Sequence, residues 1–153
     1  MAELDQSDRR ILQIIQQDNR LTYDQIAERV NLSSSAVRRR LQRLRSDGVI
    51  MKDVSILNPT TFGITVIVSI RLESETHAIY ENFKRQMLAA PEVAQCYTVS
   101  GEADFIVIAH LKDLPSYEQW MGEYVISDPS VQRADTNIVY SRVKYETAIH
   151  LEE

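Results

Sequence analysis

Residues 33–46, Ser-Ser-Ser-Ala-Val-Arg-Arg-Arg-Leu-Gln-Arg-Leu-Arg-Ser, hold five arginines and no acidic residue, in a chain whose formal net charge is −5. A guanidinium carries five N–H donors in a rigid fork that suits phosphate oxygens and the O6/N7 edge of guanine. The serine hydroxyls and the Gln42 amide can bond several other base edges. Val37, Leu41 and Leu44 recur at i, i+4 and i+7, the repeat of one helix face. At about 100° per residue they share one narrow sector, with Ser35, Arg39, Gln42 and Ser46 opposite. Arg38 and Arg43 flank that outer face, and Arg40 lies nearest the apolar seam. Taken alone, a basic amphipathic helix is most simply a solvated face. What precedes it changes that reading.

Asp5 and Asp8 have the spacing of an N-cap and its reciprocal third residue, ahead of Ile11, Leu12 and Ile15. A first helix is expected over about 6–17, with Leu4 on its apolar side. Thr22 and Gln25 form a T-x-x-Q capping box for a short second helix carrying Ile26, Ala27 and Val30. Asn31-Leu32-Ser33 breaks it, Ser33 caps the arginine-rich helix, and Asp47-Gly48 ends that helix. Three short helices joined by tight turns predict a helix-turn-helix. Val49 to Met51 and Val54 to Leu57 follow as an extended segment suited to a small wing. In such a frame the second helix enters the DNA major groove. Ser34, Ser35, Arg38, Arg39 and Gln42 are then expected to face the bases. Arg43, Arg45 and, next to the seam, Arg40 would hold phosphates. The plain alternative pairs some of these arginines with Asp24, Glu28 or Asp47.

Charge is divided unevenly. Residues 1–63 hold ten Lys/Arg against eight Asp/Glu (+2), and residues 64–153 seven against fourteen (−7). The acidic second half does not exclude phosphate contact by the first, because charges act over a Debye length of roughly 8 Å. At 153 residues the chain suits one domain or two small ones. No apolar run reaches membrane-span length, no signal-peptide pattern opens the chain, and the one cysteine, Cys96, permits no internal disulfide. A cytoplasmic protein that engages no membrane is expected.

Asn58-Pro59-Thr60-Thr61-Phe62-Gly63 marks a hinge, since Pro59 cannot join a ladder and Gly63 allows a turn. The expected division is a DNA-binding domain over 1–50, a wing and hinge over 51–63, and a second domain over 64–153. Past the hinge the period changes. Ile64 to Leu72 alternates as a strand with Ile64, Val66, Val68, Ile70 and Leu72 on one face. A helix follows with Ile79, Phe83, Met87 and Leu88, ended by Pro91. Val93 to Val99 and Asp104 to Leu111 are strands joined at Ser100-Gly101-Glu102-Ala103. A second helix carries Tyr117, Trp120, Met121 and Tyr124, and Val131 to Tyr145 gives one or two more strands. The order β-α-β-β-α-β predicts an α+β fold, a winged helix-turn-helix followed by a ferredoxin-like domain with both helices on one face of an antiparallel sheet. The other face is apolar enough to need a cover, and a second copy is the economical one.

These residues together resemble the Lrp/AsnC (feast/famine) family of transcriptional regulators. The likeness runs through Leu4-Asp5-x-x-Asp8-x-x-Ile11-Leu12, Leu32-Ser33 at the turn, Gly48-Val49-Ile50, Asn58-Pro59-x-x-Phe62-Gly63 and Val99-Ser100-Gly101-x-x-Asp104. The resemblance implies a regulatory domain that dimerises through its sheet and often assembles further, to an octamer. It also implies an amino acid or similar metabolite bound between dimers near the Gly-x-x-Asp hairpin, with no other cofactor. Gly101 would admit the ligand to the backbone and Asp104 would accept from an α-ammonium group. Ser100, Glu102, Thr136 and Ile138 are expected nearby. Glu102-Ala103 departs from the acidic-then-aromatic pair often found there, and no Pro stands early in the recognition helix. The alternative at this loop is an ordinary hairpin with Gly101 shaping the turn and Asp104 capping it.

Other chemistry is poorly represented. His77, His110 and His150 are widely separated, with no metal-ligand spacing, and neither a phosphate-binding glycine loop nor a nucleophile motif occurs. Cys96 is expected as a small buried residue in a strand, and Trp120 and Tyr117 as core or interface. A sequence-specific regulator answering to a metabolite is the leading reading. An architectural DNA-wrapping protein without effector is its first rival, and a small-metabolite enzyme of ferredoxin-like fold its second.

Overall fold

The computed structural model describes residues 3–151. They form two units, one of residues up to 56 together with 144 onward, the other of 57–143.

In the first unit α1 (Gln6–Gln17), α2 (Tyr23–Val30) and α3 (Ser34–Ser46) form as their capping signals dictate. Asp5 and Asp8 make a reciprocal box: Asp8 N–H donates to Asp5 Oδ1 at 2.8 Å and Asp5 N–H to Asp8 Oδ2 at 3.2 Å. Thr22 and Gln25 do the same for α2. Asn31 ends α2 in the left-handed region (φ 55°), the tight break of the helix-turn-helix. Ile11, Ile26, Ala27, Val30, Val37 and Leu41 close one core, with Leu44 also fully buried. Each large side chain so buried is worth about 1.5–3 kcal/mol.

The extended segment expected after α3 forms no regular strand. Residues 51–58 have no regular secondary structure, and Met51, Val54, Ile56 and Leu57 are exposed. An isolated extended segment with no partner for its backbone has nothing to hold it as a strand. Residues 144–151 group with this unit. The Gln16 side chain grips the Ile149 backbone from both sides, Nε2 donating to the carbonyl at 3.1 Å and Oε1 accepting from N–H at 2.6 Å. Gln13 Nε2 donates to Leu151 O at 3.1 Å.

The second unit is the expected β-α-β-β-α-β fold. Its elements are β1 (Ile64–Leu72), α4 (His77–Ala89), β2 (Val93–Thr98), β3 (Phe105–Leu111), α5 (Leu114–Met121) and β4 (Val131–Val139). The sheet is antiparallel in the order β2-β3-β1-β4. Val66, Val68, Ile70 and Leu72 pack with Phe83, Met87, Phe105, Val107, Trp120 and Val125 into the core. Gly63, at φ +144°, is required here, because a Cβ would stand 2.0 Å from Leu111 O. Three details depart from expectation. Leu88 is 87% exposed, since the 3.6-residue repeat gives the core to Met87 instead. Cys96 is exposed, because β2 is an edge strand. The last strand ends at Val139, and 140–150 carries no regular structure. Among the described residues no helix is long and apolar enough to cross a membrane.

Candidate nucleic-acid interface and effector hairpin

The α3 seam of Val37, Leu41 and Leu44 is buried, which turns the other side of the helix outward. Its polar residues then fall into two groups. Arg38, Arg39 and Gln42 are exposed, and no described residue bonds or pairs with their side chains. The other three arginines are held by carboxylates. Arg40 donates from Nη1 to Asp5 Oδ2 at 2.6 Å and to Asp8 Oδ1 at 2.8 Å, and Arg43 donates from Nη2 to Asp8 Oδ2. Arg45 forms a fork on Asp53, Nε at 2.9 Å and Nη2 at 3.2 Å.

The partners are therefore Asp5, Asp8 and Asp53. Asp24 takes a hydroxyl hydrogen bond from Ser34, while Ser35 Oγ lies 3.1 Å from Ser33 Oγ. Ser33 caps the helix by accepting from Ala36 N–H. Asp8 is the residue the arginine count could not reveal. It is fully buried, yet it is ionically paired to two side chains of α3. A carboxylate is tolerated in such a place only when charge and hydrogen bonds compensate it. Asp5 is pulled below the usual carboxylate range, first by the Asp8 backbone N–H and then by the Arg40 guanidinium. Asp53 is pulled down by the Arg45 fork, which in turn raises Arg45. The capping spacing of Asp5 and Asp8 was visible in the sequence, but their second role was not.

In the second unit the hairpin between β2 and β3 is built around Asp104. Its backbone N–H donates to Ile70 O at 2.8 Å and its carbonyl accepts from Val99 N–H at 3.0 Å. Oδ2 accepts from Leu72 N–H at 2.7 Å, and Oδ1 accepts from the Tyr80 hydroxyl. Both carboxylate oxygens are thus engaged within the chain. The bond to Asp104, with burial second, pushes the Tyr80 phenol up to about 12. Gly101 has φ +131°, a region that side chains avoid, although a Cβ there would meet nothing within 4 Å. Its glycine is explained by backbone shape and not by crowding. Ser100 and Glu102 are exposed beside it.

Thr136 and Ile138 stand elsewhere on the sheet. They pair with Val68 and Val66, two and four residues along β1 from Ile70, and β1 and β3 lie between β4 and β2. Thr136 Oγ1 accepts from the Tyr117 hydroxyl at 3.0 Å, and Ile138 is 45% exposed. A single chain therefore does not bring all six hairpin and β4 residues into one cluster. On the sheet face away from the helices Ile67, Ile106 and Ile108 are half-buried, and Thr65 Oγ1 lies 3.0 Å from His110 Nδ1.

Comparison with known proteins recovers both the helix-turn-helix and the β-α-β-β-α-β domain. Residues 4–51 match the family described as winged helix-turn-helix DNA-binding, and residues 65–149 match the Lrp/AsnC ligand binding domain. An uncharacterized HTH-type transcriptional regulator of Sinorhizobium fredii is 40% identical over 152 residues, spanning 98% of this chain and 90% of that one. The DNA-binding transcriptional activator DecR of Escherichia coli is 29% identical over 151 residues, 97% of this chain and 99% of its own. Among solved structures, a transcriptional regulator of Neisseria meningitidis in complex with L-Met superposes with a TM-score of 0.88 at 28% identity, covering 97% of each chain. The protein belongs to the Lrp/AsnC family, as a transcriptional regulator with a helix-turn-helix DNA-binding domain ahead of a ligand-binding domain.

Proposed function

We propose that the protein binds DNA sequence-specifically through α3 and that a small metabolite, an amino acid in chemical class, tunes that binding from the second domain. The observation that carries the first half is the division among the arginines. Arg38 and Arg39 project from the outer face of α3 beside Gln42, without a partner among the described residues, so their forks are available to base edges. Ser34 and Ser35 sit at the N-terminal end of the same helix, the end that enters the major groove in helix-turn-helix proteins. Arg43 and Arg45, each pinned by a carboxylate but still partly exposed, serve as phosphate contacts.

The effector is taken at the hairpin of Ser100, Gly101 and Glu102, with Asp104 holding the loop to β1 and α4. Thr136 and Ile138 join it across a contact between copies, since the register of one chain keeps them apart. A dimer formed through the apolar sheet face, and its further assembly to an octamer, supplies that contact. Support for an amino acid comes from the matched ligand-binding domain and from the L-Met complex of the Neisseria relative.

Replacing Arg39 by Ala should reduce discrimination between preferred and altered DNA sites by ~1–3 kcal/mol, read from binding to a selected site and its single-base variants. Equal discrimination by wild type and variant would remove Arg39 from base reading. A thermal-shift screen of the twenty amino acids tests the effector. A true ligand at about 100 times its Kd adds roughly 2.7 kcal/mol to the folded state. A flat response across the panel would refute the amino-acid class.

A further inference from the structure

We infer that Asp8 is a positioning residue for DNA binding: buried beneath α3, it holds the Arg43 guanidinium in place for a phosphate. The inference rests on the proposed phosphate contact of Arg43 and adds to it a residue that does not itself reach DNA.

The geometry forms an unbroken line of support. Asp5 N–H fixes Asp8 Oδ2 at 3.2 Å as part of the α1 cap. Arg40, itself tied to Asp5, fixes Oδ1 at 2.8 Å. Arg43 then bonds Oδ2 through one Nη2 hydrogen. Asp8 has no exposed surface, so a phosphate cannot displace it and solvent cannot screen it. Arg43 remains 46% exposed, with the rest of its fork free of described partners. A long side chain loses rotamer freedom when it is immobilised on a ligand, and one already held loses less. A buried carboxylate under the recognition helix therefore favours phosphate binding, although its charge is of the wrong sign for DNA.

That opposition of sign makes the test sharp. Asp8→Asn removes a negative charge, and plain electrostatics predicts tighter DNA binding. Loss of positioning predicts weaker binding, by about three- to tenfold, together with a shallower salt dependence. The measurement is a salt titration of binding to a labelled mixed-sequence DNA duplex, using the full chain, with circular dichroism to show that the helices are retained. Asn can keep the oxygen that Asp5 N–H and Arg43 share, which preserves the α1 cap, but it takes away the charge that holds the Arg43 guanidinium and turns an NH2 donor toward Arg40. Arg43→Ala is measured alongside and should lower the salt slope by about one. On that background Asp8→Asn should have no further effect on the slope. Arg43→Lys provides an independent readout should Asp8→Asn fail to fold. A compact ammonium lacks the rigid fork with which a guanidinium spans Asp8 and a phosphate, so this variant should bind DNA about three- to tenfold more weakly.

Tighter or unchanged binding by Asp8→Asn with a normal Arg43→Ala loss would overturn the positioning role and leave the phosphate contact standing. Wild-type affinity for Arg43→Lys would do the same. An Arg43→Ala chain with wild-type affinity and slope would remove the phosphate contact itself, and the inference with it.

Discussion

Asp8 and Asp104 solve one problem in two ways. Each is a carboxylate near the start of an element, and each accepts a hydrogen bond from a backbone N–H, Asp5 N–H for the first and Leu72 N–H for the second. Each also reaches a side chain far away in sequence. Asp8 reaches cations, Arg40 and Arg43, whereas Asp104 reaches a neutral phenol, Tyr80. The cationic solution permits complete burial and leaves guanidinium surface facing out of the helix. The neutral solution leaves Asp104 half-buried and puts its electrostatic effect on the phenol, which becomes harder to ionise. One carboxylate anchors two guanidinium groups of α3, and the other fastens a hairpin to β1 and α4.

The largest effect expected from this contrast is in the first unit. Arg40→Met should cost about 3 kcal/mol, because it strands a fully buried carboxylate with Arg43 as its one remaining cation. Hydrogen exchange should accelerate in α1 and α3 and stay unchanged in the sheet. A loss within about 0.5 kcal/mol would show that Asp8 behaves like a surface group. Next, Asp104→Ala should cost about 2 kcal/mol, leaving Leu72 N–H and the Tyr80 hydroxyl without an acceptor. Here exchange should quicken in the β2–β3 hairpin and not in α3. If it spread to α3, the two carboxylates would not be independent.

Smaller still, the Tyr80–Asp104 bond should appear as an alkaline transition. A raised acid pKa means that the folded state retains the proton more strongly. The stabilisation is therefore complete below the ordinary phenol value near 10 and is lost as pH climbs through about 12. Tyr80→Phe should cost about 1 kcal/mol at neutral pH and abolish that component of the alkaline loss. Melting curves between pH 9 and roughly 12 compare the two chains. Identical alkaline profiles would show that the phenol proton is not held by Asp104.

Capping boxes and periodicity made most of the fold legible. Thr22 and Gln25, or Asp5 and Asp8, carry their instruction within a few residues, and the alternation of 64–72 assigns its own buried face. Where local pattern had no neighbour to enforce it, the reading failed. Leu88 is exposed while Met87 fills the core, Cys96 lies on an edge strand, and the last strand ends at Val139, short of Tyr145. The site was legible in part. The outward face of α3 follows from the seam of Val37, Leu41 and Leu44, but the status of each arginine on it does not.

By itself the sequence determined the helix-turn-helix frame, the β-α-β-β-α-β order and the basic outer surface of one helix, because caps and repeats act over a few bonds. Tertiary structure decided which arginines of α3 are pinned by carboxylates and which have no partner among the described residues. Their partners lie 35 and 32 residues away for Arg40 and 35 for Arg43, beyond any local pattern. It also decided that the tail returns to α1, through a Gln16 pairing that spans 133 residues. A carboxylate finds its partner through proximity in the folded chain, and that proximity exists only once the cores have closed.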